Sequence, residues 1–337
     1  SIPDFTLTNP PASGSGTSAS PYLINDSTVY TFSVVDSTDG DVSTDATTNY
    51  TVNGAGAGTM GPGDNTLDVT NGFTGDFNVS ASYKGNPTAP SAIFFHVDFV
   101  DLGIATPFGS FGGGSGMTNQ GIFTVVNGDI GTTGASTMIT GFHDSDGDVY
   151  SETPLNVGQV NGQIYSAPPA PGTAEQLAIA TQASNDAQTA YNNISPASLP
   201  GGTDPGAGQL GGLTLIPGVY KAAGGSFTLT GSNLTLDAQG DPNAVWVFQC
   251  ASSLTVGDTQ PRSVILVNGA QPRNVYWYVG SAATINGAGG GTMVGTIIAS
   301  AGVTFSTAGN VILTTLDGRA IGLNASVTLV NTIINVP

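Results

Sequence analysis

Charge is what this chain has least of. Only 8% of its 337 residues are charged, against roughly 25% in ordinary soluble domains. Lysine and arginine together number 5 against 23 acids, a formal net charge of −18. That sign repels nucleic acid and anionic membrane surfaces, which excludes both as partners. Cysteine is nearly absent. Cys250 stands alone in the apolar run 245–250, so no internal disulfide forms and the thiol reads as buried and inert. His96 and His143 are the only histidines. No Ser/His/Asp order, HExxH or phosphate loop occurs, so the usual nucleophilic, zinc and phosphoryl chemistries lack their residues. Five cations are too few for the basic cleft of a polysaccharide lyase. No apolar run reaches the ~20 residues of a membrane span. No basic leader segment opens the chain at Ser1, so the expectation is a mature, secreted, monomeric protein without catalytic activity.

What is present is apolar, small and neutral. Hydrophobic residues make up 39%, and there are 49 glycines and 20 prolines. Low charge with this much hydrophobicity fits short strands joined by glycine turns rather than disorder. Threonine, serine and asparagine carry the polarity, which suits an uncharged partner: a sugar, or water itself. Residues 1–97 read as a small β-sandwich. Phe77, Val79, Ala81 and Tyr83 alternate onto one face, and Asn53-Gly54, Pro62-Gly63-Asp64 and Lys84-Gly85-Asn86-Pro87 mark turns. One helix is expected over about 173–194, opened by a capping box at Thr173 and Gln176 and stopped by Pro196 and Pro200. Its apolar stripe runs through Leu177, Ala180, Ala183 or Ser184, Ala187, Tyr191 and Ile194. From about Gly212, short strands recur. Those with a central threonine at Thr284, Thr304 and Thr328 lie 20 and 24 residues apart. A repeat near 20 residues with three short strands is a three-faced solenoid coil.

Two resemblances sharpen this. Residues 41–47 and 72–83 resemble a bacterial Ig-like domain over about 60 residues, with 41–47 standing where such domains carry a strand. Such domains act as spacers. The remainder resembles the DUF3494-type ice-binding proteins. The runs DLGIATPFGSF (101–111), VNGDIG (126–131), ITGF (139–142), LTLIPGVY (213–220), DPNAVWVFQ (241–249), VNGAQPRNVYWYVGS (267–281), TMVGTIIA (292–299) and DGRA (317–320) match in family order over about 235 residues. Tyr276 replaces a usual phenylalanine. The glycine-rich stretch 112–119 predicts a less regular first coil. The resemblance implies a right-handed, discontinuous three-faced β-helix over 98–337 with the long helix alongside. It also implies adsorption to an ice crystal surface, giving thermal hysteresis and recrystallisation inhibition, without a cofactor.

Some members of that family carry a Thr-Ala/Gly-x-Thr/Asn motif on the ice face. Here Thr230-Gly231-Ser232-Asn233 and Thr307-Ala308-Gly309-Asn310 match it, with Asn286-Gly287-Ala288-Gly289 in the coil between. The candidate ice-contact set is Thr230, Ser232, Asn233, Thr235, Thr259, Asn286, Thr292, Thr307 and Asn310, extended to Thr118 and Thr124. Turn propensity and β-propensity supply the same residue types without ice. The one acidic cluster, Asp144, Asp146, Asp148 and Glu152, approximates the alternating oxygens of a calcium loop, or is a solvated turn. A cell-surface adhesin or carbohydrate-binding module is the alternative function. It usually needs exposed aromatics, whereas Trp246 and Trp277 lie in core-like runs.

Overall fold

The computed structural model describes residues 2–11, 14–24 and 28–337. The chain divides into two compact units, Ser1–Phe99 and Val100–Pro337. In the first, Thr48–Asn53, Gly75–Tyr83 and Asn86–Val97 pair antiparallel, and Asp4–Leu7 joins Val29–Asp36 to them. The period-2 pattern is realised: Phe77, Val79, Ala81 and Tyr83 are all buried. Phe77 stacks on Phe95 with centroids 5.0 Å apart, and Phe32 meets Phe95 edge-on at 6.0 Å. Of the expected 41–47 strand only Asp41 is extended, in the short strand Gly40–Asp41. Beyond it, Asp41 accepts from the Ser43 amide and Asp45 from the Thr47 amide, so local side-chain bonds turn the backbone away from the ladder.

The second unit is a long, curled, largely parallel sheet with one helix. Its strands stack in register in three rows. The first row runs through paired positions Tyr220, Phe248, Trp277, Ile297, Ala320, Ser110, Ile130 and Ile164. Trp277 lies flat on Phe248 at 4.1 Å and 12°, and its indole N–H donates to the Val294 carbonyl at 2.9 Å. Both tryptophans are fully buried. The stacking order is not chain order. Met117–Asn127 sits between Val327–Val330 on one side and Ile139–Thr140 on the other, so the earliest strands plug in beside the last ones.

The helix, Ala174–Asn193, solves the resulting connection. The chain must travel from the coil ending at Ile164–Ala167 to the coil beginning near Thr214, seven strand spacings or ~34 Å away, most of which the helix covers. Twenty helical residues span about 30 Å. Thr173 caps it as expected, accepting from the Gln176 amide at 3.1 Å while Gln176 accepts from the Thr173 amide at 3.2 Å. Ala180, Ala183, Ala187, Ala190 and Ile194 bury against Val247, Tyr276, Ile298 and Ile321. Alanine at these positions lets the helix lie close, so the first row is apolar on both faces. Near its end, Gln249 donates to the carbonyls of Ile194 and Leu199 and Tyr191 stacks on Tyr278 at 4.2 Å. The helix therefore covers one row and leaves the others to solvent.

The opening coil is locally irregular, with register shifts between Gly121 and Thr124, Asp129 and Ile130, and Gly131 and Ala135. A Cβ at Gly116 would collide with the Met138 carbonyl, and one at Gly113 with that of Leu323. Glycine there permits close backbone approach and keeps the next strand in register. Among the described residues, no helix is long and apolar enough to cross a membrane.

Candidate functional site

The second row carries the most ordered exposed array. Its strands have the form apolar-Thr-apolar, with the outer residues turned into the core: Phe227 and Leu229, Leu254 and Val256, Ala283 and Ile285, Val303 and Phe305, Val327 and Leu329 are all buried. The central threonine faces out. Backbone pairing places Thr228 against Thr255, Thr255 against Thr284, Thr284 against Thr304, and Thr304 against Thr328. Thr328 then pairs with Thr118, and Thr118 with Thr140. Seven threonines thus form one file without interruption, stepped by the ~4.8 Å spacing of neighbouring strands. Thr284 is exposed and the others are half-buried by each other.

Beside this file runs a column of small residues: Ser226, Ser253, Ala282, Gly302, Ser326 and Gly116, linked by the amide-to-carbonyl bonds that continue the ladder. Ser226 and Ser253 hydroxyls lie 3.0 Å apart. Neither column contains a charge. Large side chains are absent too, so nothing overhangs the threonines. The plane is stiff because its inner strands are hydrogen-bonded to the strand on either side.

The candidate residues named from motifs scatter over several surfaces. Thr118 is in the file. Thr230 follows it at the corner, where its Oγ1 accepts from Gln209 at 2.6 Å. Ser232, Asn233, Thr259 and Thr307 are exposed at corners. Thr235 and Thr292 lie on the third row, opposite Ile265 and Thr315 respectively. Two must be corrected. Asn286 is fully buried: its Nδ2 donates to the Arg262 carbonyl and its Oδ1 accepts from the Arg262 amide, both at 2.9 Å. Thr124 is also buried, its hydroxyl accepting from the Thr332 amide at 3.1 Å. Thr124 lies inside the strand Met117–Asn127, whereas Asn286 is claimed by a corner. A coil must turn sharply after the threonine strand, and Asn286 and Ser306 take positive φ there, at 47° and 65°. Asparagine tolerates that conformation and supplies amide bonds across the corner. The Thr-x-x-Asn motif thus marks corner chemistry beside the flat file. Asn310 does the same, donating to the Gly287 carbonyl at 2.7 Å.

The motif does not single out Thr228, Thr255, Thr284, Thr304, Thr328 and Thr140, which the register brings into one file. The apolar-Thr-apolar strand was the signal that could have found them.

The acidic cluster of the calcium reading is spread over a turn and a neighbouring ion pair. Asp144 Oδ1 accepts from the Asp146 and Asp148 amides at 3.1 and 3.0 Å, closing a turn on itself. Glu152 points away to His143, 2.6 Å from its Nδ1. Among the described residues no three His, Cys, Asp or Glu side chains gather to hold a metal. Cys250 is buried, and burial pushes its thiol up to about 12, so it supplies no nucleophile near neutral pH.

Comparison with known proteins agrees with this architecture. The chain is 39% identical over 229 residues to the ice-binding protein of Nostoc sp. strain HG1, covering 68% of this chain and 71% of that one. The crystal structure of an ice-binding protein from the Antarctic ascomycete Antarctomyces psychrotrophicus superposes with a TM-score of 0.56 at 34% identity, over 71% of this chain and 98% of that one. A glycosylated ice-binding protein from an Arctic yeast gives 0.57 at 31% identity, over 71% and 94%. The profile of the ice-binding-like family matches residues 111–335, and with two-thirds of its length so matched the chain belongs to that family.

Proposed function

We infer that this protein adsorbs to ice through the threonine file, slowing crystal growth and recrystallisation, and that it acts without catalysis. The observation that carries this reading is the register: seven outward threonines in seven consecutive coils. One hydroxyl exchanging one water for another gains little. Seven held by a folded sheet present anchored waters at near-regular intervals before ice is met, so the ordering cost falls on folding rather than on binding. The threonine methyls confine those waters laterally. Charged side chains would orient water differently, and none stands in either column.

The architecture behind this reading is a right-handed three-faced β-helix: one face buried under the helix, one forming the third row, and one free for ice. Residues up to Phe99 serve as an Ig-like spacer. The whole acts as a secreted monomer, or is held at a cell surface. The scarcity of charge over an acidic background supports an extracellular setting.

The test is a single ice crystal grown in purified protein, with ice-affinity partitioning run beside a glycan array. Faceted growth, a freezing gap and incorporation into ice are expected. Unshaped growth together with glycan binding would move the assignment to a carbohydrate-binding surface module.

A further inference from the structure

Three aliphatic residues in succession face solvent beside the threonine file. Val311 is 71%, Ile312 58% and Leu313 42% exposed. They complete the corner that leads from Val303–Phe305 to Thr314–Gly322. Eight residues, 306–313, cross that corner, whereas the adjacent coil crosses it with Asn331 alone. The longer segment must therefore loop outward past its neighbour. Beyond Asn331, the same corner of the next coil carries Ile122 and Phe123, each about half exposed. On the other side lies Pro261. A Cβ at Gly290 would sit 3.3 Å from Ile312 Cγ2 and 3.2 Å from Pro261 Cγ, so only a glycine separates the two. Pro261, Ile312, Val311 and Leu313, Phe123 and Ile122 thus make one apolar strip along the stack.

The strip is fixed in place by side-chain amides. Asn286 clamps Arg262. Thr314 accepts from the Gly290 amide at 3.0 Å. Asn310 ties its loop to Gly287 and to Ser306 Oγ. Asn331 donates to the Asn310 carbonyl and accepts from the Phe123 amide at 3.0 Å. The nearest ion pair, Arg262 with Asp258, is closed on itself. Leaving such residues exposed forgoes the free energy that burying them would contribute. Surfaces normally scatter them singly rather than aligning them on a locked seam.

We propose that this strip is a second ice-contact surface, which meets the crystal along an edge where the threonine file meets it along a plane. The proposal rests on the reading of the file as the main contact and takes its occupant from continuity with it: Thr307, exposed on the same corner, lies beside Gly287, with Oγ1 3.4 Å from where a Cβ there would be. Aliphatic groups neither donate nor accept, so water against them bonds to itself, as it does in ice. Their rigidity keeps that water layer ordered. A second copy of the chain is a poorer occupant, because a net charge of −18 opposes self-association. Because a corner faces a different direction from the plane beside it, the strip extends binding to crystal planes inclined to the one the file matches.

The experiment uses the full chain, fluorescently labelled, on a single-crystal ice hemisphere. The variant Val311→Ser/Ile312→Ser/Leu313→Ser is compared with the parent and with Thr304→Tyr. The expected result is loss of one set of labelled planes in the triple variant, with at least a twofold drop in hysteresis and an unchanged melting temperature. An unchanged plane pattern and hysteresis would overturn the proposal. So would light scattering that shows a parent dimer converted to monomer by the triple variant, since the strip would then be an interface between copies. If Thr304→Tyr is silent while the triple variant loses planes, the reading of the file fails and the strip stands.

Discussion

Replacing Thr304 by tyrosine puts the proposed mechanism under direct load. Thr304 is the fourth of seven threonines, so three lie on either side, in a file about 29 Å long. A tyrosine ring at the centre stands above its neighbours and holds a flat crystal off one half of the file. Contact is then limited to three rungs. At about 0.5 kcal/mol net per hydroxyl, the low end for an exchanged hydrogen bond, losing four rungs weakens adsorption by about 2 kcal/mol. That is roughly a thirtyfold loss in the adsorption constant. The fold should not notice, because tyrosine favours strands and the position faces outward; a change within about 0.5 kcal/mol is expected. The assay is thermal hysteresis across a concentration series, with a melting curve as control. The concentration needed for half-maximal hysteresis should rise about thirtyfold while the melting temperature stays put. Full activity in a folded Thr304→Tyr protein would refute the reasoning. So would an equal loss from Thr235→Tyr on the third row, which would show that any protrusion suffices.

Other substitutions test the frame. Asn286→Ala leaves the Arg262 amide and carbonyl unpaired in a corner with positive φ, and should cost about 3 kcal/mol, or roughly 6–12 °C in melting temperature by calorimetry. A surface role for Asn286 would instead leave the melting point alone. Trp277→Phe removes the donor to the Val294 carbonyl and opens a gap beside Phe248, so a loss of about 2–4 kcal/mol is expected in denaturant titration. The Cys250 thiol, raised to about 12 in the folded chain, contributes stability that is fully present below its unfolded pKa and is lost as pH rises through the folded one. Alkylation at pH 9 should therefore be slow in the native protein and fast in denaturant, and comparable rates would contradict its burial.

Much of this structure was legible because some elements are specified by short-range chemistry. The Thr173–Gln176 box, the alanine stripe and the two flanking prolines define the helix without reference to anything distant. The alternation through Phe77 and Tyr83 does the same for its strand. The threonine file was only half legible. Each apolar-Thr-apolar strand shows which residue faces out, yet alignment depends on how much chain each corner absorbs. Between Thr228, Thr255, Thr284, Thr304 and Thr328 the intervals are 27, 29, 20 and 24 residues, so no single period finds all five. Thr118 and Thr140 are harder still, because their coils join the far side of Thr328 out of chain order. The motif search went to Asn286 and Asn310 for a physical reason: a sharp turn beside a strand selects threonine, glycine and asparagine for backbone conformation alone. Corner and plane therefore share a vocabulary and differ in where the side chain points. Asn286 satisfies its amide inside the protein and has nothing left to offer water. Thr284 pairs its backbone in the ladder and leaves its side chain outside. What separates a structural polar residue from a contact residue here is whether its hydrogen-bonding capacity is already used by the fold, and that is settled only when the coils are stacked.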